Sequence, residues 1–163
     1  MGQIVVHTEI AAPPELCFDL ARDVAVHAES AAFSKERLVA PGKLSGTLET
    51  GDLVCFEGHH FGLRQRFCAK ITLVDRPRLF VDEMVTGIFA WLRHDHEFEP
   101  VARGTLMTDR LVWKAPLGPL GLLADRLFLE RHMRWFVSTK QNHLKRLAED
   151  VHHRGTEHTE RPL

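Results

Sequence analysis

Apolar residues recur at sums of three and four through Leu122, Leu129, Met133, Phe136, Leu144 and Leu147, which places them on one stripe of a helix. The spacing predicts a single long helix over residues 119–149. Pro119 suits its start, since the first helical N–H has no partner to lose, and Lys140, Lys145 and Arg146 suit its negative end. Leu120, Leu123, Leu127 and Phe128 make the first half apolar nearly all round, so that half must be enclosed on several sides. At ~1.5 Å per residue the element is about 45 Å long. Only a sheet wrapped around it would bury such a stripe.

The rest of the chain supplies that sheet. Residues 3–10 alternate, with Ile4, Val6 and Ile10 against Gln3, His7 and Glu9, as a half-buried strand does. Pro13 and Pro14 end it and open a short helix carrying Leu16, Cys17, Phe18 and Leu20; Asp23 is placed to cap a second one over 24–31. Between residues 33 and 51 the glycines and prolines predict a winding loop, with a doubtful strand at 36–40. Five segments rich in branched and aromatic residues follow, at 52–60, 62–74, 78–85, 88–99 and 104–114, each separated by turn chemistry. They predict an antiparallel meander of six or seven strands counting the first. Residues 150–163 are polar and aperiodic and are expected to be a disordered tail, leaving 1–149 as one domain.

Charge excludes some partners. Lys+Arg number 21 and Asp+Glu 22, so there is neither the basic excess of a nucleic-acid binder nor a polybasic membrane patch. No run approaches the roughly 18 apolar residues of a membrane span. Cys17, Cys55 and Cys68 form an odd set without CxxC spacing, and the first residues lack the charged start and apolar core of a signal peptide. A reduced, cytoplasmic protein is expected, with Cys55 and Cys68 as small core residues.

The stretches His60-Phe61-Gly62, Arg76-Pro77, Phe80-Val81-Asp82-Glu83-Met84, Gly87, His94-Asp95-His96-Glu97-Phe98, Gly104-Thr105-Leu106-Met107-Thr108-Asp109 and Pro116-Leu117-Gly118 resemble those of a bacterial polyketide cyclase or dehydrase-type subfamily. That subfamily lies within the START-like or SRPBCC superfamily. The resemblance covers about residues 3–149 and implies the α+β helix-grip fold, a bent antiparallel sheet closed around one long C-terminal helix. It also implies a cavity for a mostly apolar molecule. Members of the superfamily carry lipids, quinones and hormones, act as aromatases and cyclases, or assist chaperones, so the resemblance leaves catalysis open.

Candidate chemistry concentrates on the last hairpin. Thr105, Met107, Asp109, Leu111 and Trp113 form the more apolar face of the final strand and are assigned inward. A turn centred between Val101 and Ala102 would set Phe98 opposite Thr105, His96 opposite Met107 and His94 opposite Asp109. Buried, His94 and Asp109 must pair or line a polar cavity end. Three roles fit: a satisfied core pair that fixes register, a hook for a ligand head group, or an acid/base pair in which Asp109 orients His94. Asp82 or Glu83 joins them, whichever faces inward, since a slip of one residue exchanges the two. His96, Phe98, Met107, Trp113, Leu129, Met133 and Phe136 complete the candidate ligand lining, with core packing as the plain alternative. Zinc on His94, His96 and Asp109 is a weak signal from two close ligands, so neither metal nor cofactor is expected. Arg64 and Arg66 are assigned to a solvated strand face, with a place at the pocket mouth for an acidic head group as the lesser alternative, and the outward-looking Phe89 and Trp91 leave a protein-binding module, a homodimer contact or packing under a loop as candidates. No nucleophile elbow or phosphate-binding glycine loop is present. The expected function is binding of a small apolar or amphipathic molecule; the competitor is a cyclase or dehydratase with His94 as the proton carrier.

Overall fold

The computed structural model describes all residues except 32, 34, 61, 62, 116–127 and 160–163. Strand β1 (Gly2–Ile10) leads into helices α1 (Pro14–Arg22) and α2 (Val24–Ser30). Pro14 opens α1, and the Asp23 carboxylate accepts from the Ala25 and Val26 amides at 2.8 and 3.2 Å to cap α2. The doubtful strand is real but short, β2 (Arg37–Leu38). Strands β3 (Leu53–His60), β4 (Leu63–Asp75), β5 (Leu79–Thr86), β6 (Trp91–Val101) and β7 (Gly104–Lys114) form the meander, and α3 (Glu130–Thr159) is the last element.

The seven strands make one antiparallel sheet in the order β1-β7-β6-β5-β4-β3-β2. Register shifts within the β4–β5 pair bend it. Edge strand β1 is covered by α3, whose Arg134, Gln141 and Lys145 donate to the carbonyls of Val5, Val6 and Glu9. Those bonds satisfy an edge that would otherwise be free to pair with another chain. Phe18, Phe80, Phe98, Met107 and Leu144 form one part of the core between α1, the sheet and α3. At the β6–β7 turn, Gly104 has φ +138°, and a Cβ there would lie 2.2 Å from the Ile10 carbonyl oxygen. Only glycine fits so close a backbone approach.

Three expectations change. The long helix does not end near Asp150 but continues to Thr159, through the residues assigned to a disordered tail. No proline interrupts that stretch, Lys145 and Glu149 approach to 3.7 Å one turn apart, and an all-round polar surface suits a solvated helix end. The start expected at Pro119 lies outside the described residues, as do Leu120, Leu122, Leu123, Leu127 and the Pro116-Leu117-Gly118 stretch. Cys55 and Cys68 are direct cross-strand partners, Cα atoms 4.1 Å apart, and are joined by a disulfide. Strand register, invisible in a sequence separation of 13, makes the pair. Since disulfides are rare in reducing compartments, the cysteine argument for a cytoplasmic protein falls. Phe89, assigned outward, instead packs against Trp113 inside, while Trp91 is part-exposed. No helix among the described residues is long and apolar enough to cross a membrane.

Candidate functional site

Between the concave face of the sheet and α3 lies a cavity of about 170 Å³. Most of its wall is apolar, with Phe56, Leu92, Met107 and Leu111 from the sheet facing Met133 and Phe136 from the helix. Its polar end is built from three adjacent strands. Alternation along β6 turns His94 and His96 to the same side. Across the ladder, Asp82 of β5 is the partner of His94, and Asp109 of β7 is the partner of His96.

The sequence-derived face is therefore right and its pairing is two residues off. The β6–β7 turn is centred between Ala102 and Arg103, with Val101 opposite Gly104, so Asp109 meets His96 rather than His94, and His94 stands opposite Leu111. A shift of two preserves which side chains point inward, whereas a shift of one would have reversed them. Asp82 is the inward member of its pair; Glu83 turns to Arg93, 3.3 Å away, and leaves the site.

His96 bridges the two carboxylates. Its Nε2 is 3.0 Å from Asp82 Oδ2 and its Nδ1 2.6 Å from Asp109 Oδ1, while its ring stacks on Phe80 with centroids 4.1 Å apart. His94 lies 3.3 Å from Asp109 through Nε2 and 3.9 Å from Asp82 through Nδ1. Burial opposes the charged form of His96, but the Asp109 charge and the contacts to both carboxylates outweigh it and raise its pKa to about 9. Burial likewise opposes ionised Asp109 and Asp82. The charges of His96 and His94 for the first, and the His96 hydrogen bond for the second, hold both below the usual carboxylate range.

Of the other sequence-predicted lining residues, Met107, Leu129, Met133 and Phe136 face the cavity. Phe98 and Trp113 do not. Phe98 is fully buried between Phe18 and Phe80, and Trp113 is sealed among Ile4, Leu92 and Val137. Arg66, assigned to a solvated face, is exposed yet reaches the cavity rim and donates to the Ala40 carbonyl. Arg64 is exposed as expected and pairs with Glu57.

Lys140 and His27 are among the cavity residues that the sequence reading did not single out. Lys140 follows Phe136 by four and precedes Leu144 by four, so it sits on the apolar stripe, a position where lysine is out of place. Its Nζ lies over the Phe136 and Phe56 rings at 5.6 and 5.8 Å, and burial lowers its pKa. His27 of α2 stacks on Phe56, and burial, with Lys140 and His96 nearby, lowers its pKa to about 3.

No family model matches the sequence, and no curated protein is similar to it. Solved structures are. The protein TTHA0849 from Thermus thermophilus superposes with a TM-score of 0.75 at 17% identity, covering 91% of this chain and 98% of that one. Ginseng major latex-like protein 151 from Panax ginseng gives 0.62 at 12% identity, covering 90% and 97%. Ara h 8.0201 gives 0.60 at 12%, covering 87% and 97%. The fold shared with these structures is the helix-grip fold. At these identities the helix-grip neighbours speak for architecture alone, and the chemistry of the site rests on this chain's own residues.

Proposed function

We propose that this chain binds a small apolar or amphipathic molecule in the cavity between sheet and α3. The observation that carries the reading is the cavity itself. Left empty, about 170 Å³ would cost on the order of 4 kcal/mol at ~24 cal/mol per Å³, a large share of a domain's roughly 5–15 kcal/mol stability. A cavity of ~150 Å³ admits benzene, so a ligand of one or two rings fits, its polar end toward Asp82, His94, His96 and Asp109. Lys140 adds a cation beside that end, which favours an acidic or phenolic head group. Mass spectrometry of the native protein, followed by extraction, tests this: a copurified molecule of that class supports it. Its absence, together with no thermal shift across apolar and amphipathic one- and two-ring compounds, contradicts it.

A second reading has one specific observation in its favour. His96, wedged between two carboxylates and touching the cavity, is arranged as an acid/base group would be, in place of the His94–Asp109 pair expected from the sequence. Cyclase or dehydratase chemistry would then use the same cavity. His96→Gln would abolish turnover of a bound substrate while leaving its Kd within a few-fold, whereas a pure carrier shows no turnover in either protein.

A further inference from the structure

Asp82, His94 and His96 each offer a ligand atom, and these atoms all lie within 4.8 Å of one another. We infer that the polar end of the cavity is a binding site for a single divalent first-row transition-metal ion, ligated by Asp82, His94 and His96, with Asp109 orienting both rings from the opposite side. The inference is independent of whether the cavity also takes an apolar molecule.

Hydrogen-bond inventory carries the argument. Each imidazole turns one nitrogen to each carboxylate: His96 Nε2 and His94 Nδ1 to Asp82 at 3.0 and 3.9 Å, His96 Nδ1 and His94 Nε2 to Asp109 at 2.6 and 3.3 Å. An ionised carboxylate only accepts, and a neutral imidazole has one N–H. When Asp109 accepts from both rings, the lone pairs of His96 Nε2 and His94 Nδ1 point at an Asp82 oxygen, so three acceptors face one another. A proton on His96 relieves one of those contacts; a cation among the three relieves all of them. Ligand atoms about 2.0–2.2 Å from a metal stand roughly 3–4 Å apart, and the 3.0 and 3.9 Å separations from Asp82 already have that spacing.

Two further observations agree. His94 Nε2, His96 Nδ1 and Asp109 Oδ1 are buried and close, at 3.3 and 2.6 Å, without an aligned hydrogen bond, and ligation through the opposite nitrogens would turn both N–H groups toward Asp109. Among the described residues, the ion-pair contacts of both carboxylates within 4.0 Å are to these two imidazoles, and Lys140 acts on them only from farther off. A divalent cation balances the two buried negative charges. Two imidazoles and one carboxylate favour zinc, iron, cobalt or nickel over magnesium or calcium, and the carboxylate behind the rings is the usual outer-shell partner of ligating histidine. Three protein ligands leave open positions toward the cavity.

The test uses the full chain, stripped with EDTA and dialysed, then titrated with Co(II) by visible absorption and with Zn(II) by calorimetry. One equivalent should bind saturably. Asp109→Asn should weaken binding about 10–100-fold, and Asp82→Asn and His94→Ala by at least that factor, whereas changing His152 and His153 to Asn at the exposed helix end should leave it unchanged. If His94→Ala fails to fold, the near-isosteric Asp82→Asn makes the same comparison. In the parent, Co(II) should shift or broaden the imidazole NMR signals of His94 and His96. No saturable binding, equal affinity in Asp82→Asn, or cobalt effects confined to His152 and His153 would each overturn the inference.

Discussion

His96 sits opposite Asp109 in the β6–β7 ladder and holds it at 2.6 Å, while its other nitrogen reaches Asp82 at 3.0 Å. Removing one member leaves a charge buried without its counterpart. In EDTA-treated protein, Asp109→Leu should therefore cost about 3–5 kcal/mol in denaturant unfolding, and the double variant His96→Phe with Asp109→Leu should recover part of that loss. A single-variant loss below about 1 kcal/mol would mean that the contact contributes little to the fold.

Two phenylalanines should respond differently to truncation. Phe18 is fully buried, edge-on to Phe80 and Phe98, so Phe18→Ala should cost about 3–5 kcal/mol. Phe136 is only half-buried on the cavity wall. Phe136→Ala should cost clearly less and should weaken binding of one- and two-ring compounds. Equal losses from the two changes would place Phe136 in closed core.

Much of this architecture is legible in the sequence. Period-two alternation locates the strands and assigns Met107, Asp109 and Leu111 inward correctly, because a face survives any even slip in register. The partner of Asp109 depends on where one turn is centred, and the three residues Ala102, Arg103 and Gly104 admit more than one choice. The register could be recovered from Gly104, whose positive φ and approach to Ile10 mark the turn's last residue. Non-local pairing hides the rest. Neither the Cys55–Cys68 bond nor the meeting of Asp82 with His96 has a local signature. Lys140 is visible as a charge on an apolar stripe, but its place in the final turns of the predicted helix offers an easier explanation.

The acid limb of stability should carry the signature of His27. Its folded pKa of about 3 lies below the ordinary 6.5. Between these values the unfolded chain binds more protons, so the stabilisation present above pH 6.5 is lost as the pH falls, at up to about 1.4 kcal/mol per unit. Facing His27 are Lys140 of α3 and His96 and Asp82 of the sheet. His96, with its raised pKa, is protonated in both states well below pH 6.5, and the depressed carboxylates act only below about 4. Unfolding free energies of EDTA-treated protein from pH 6.5 to 4.5 should fall in the parent and stay flatter in His27→Phe. Parallel slopes would show that His27 titrates freely.

One thiol, not three, should react in the unfolded but unreduced chain, since Cys55 and Cys68 are bonded and Cys17 is free. Closing a loop of that size should stabilise by up to about 3 kcal/mol. The variant with both Cys55 and Cys68 changed to Ala should unfold at lower denaturant, and three reactive thiols in the parent would contradict the bond.

Occupation of the cavity is tested most directly by filling it. Met133 projects into the space from α3, and Met133→Trp adds bulk to a wall that has room for it. The parent should bind a one- or two-ring apolar probe saturably at one equivalent, seen by calorimetry. Met133→Trp should lose that binding at least tenfold while melting no more than a few degrees away from the parent. Undiminished binding in a folded Met133→Trp protein, or no saturable binding in the parent, would contradict the account.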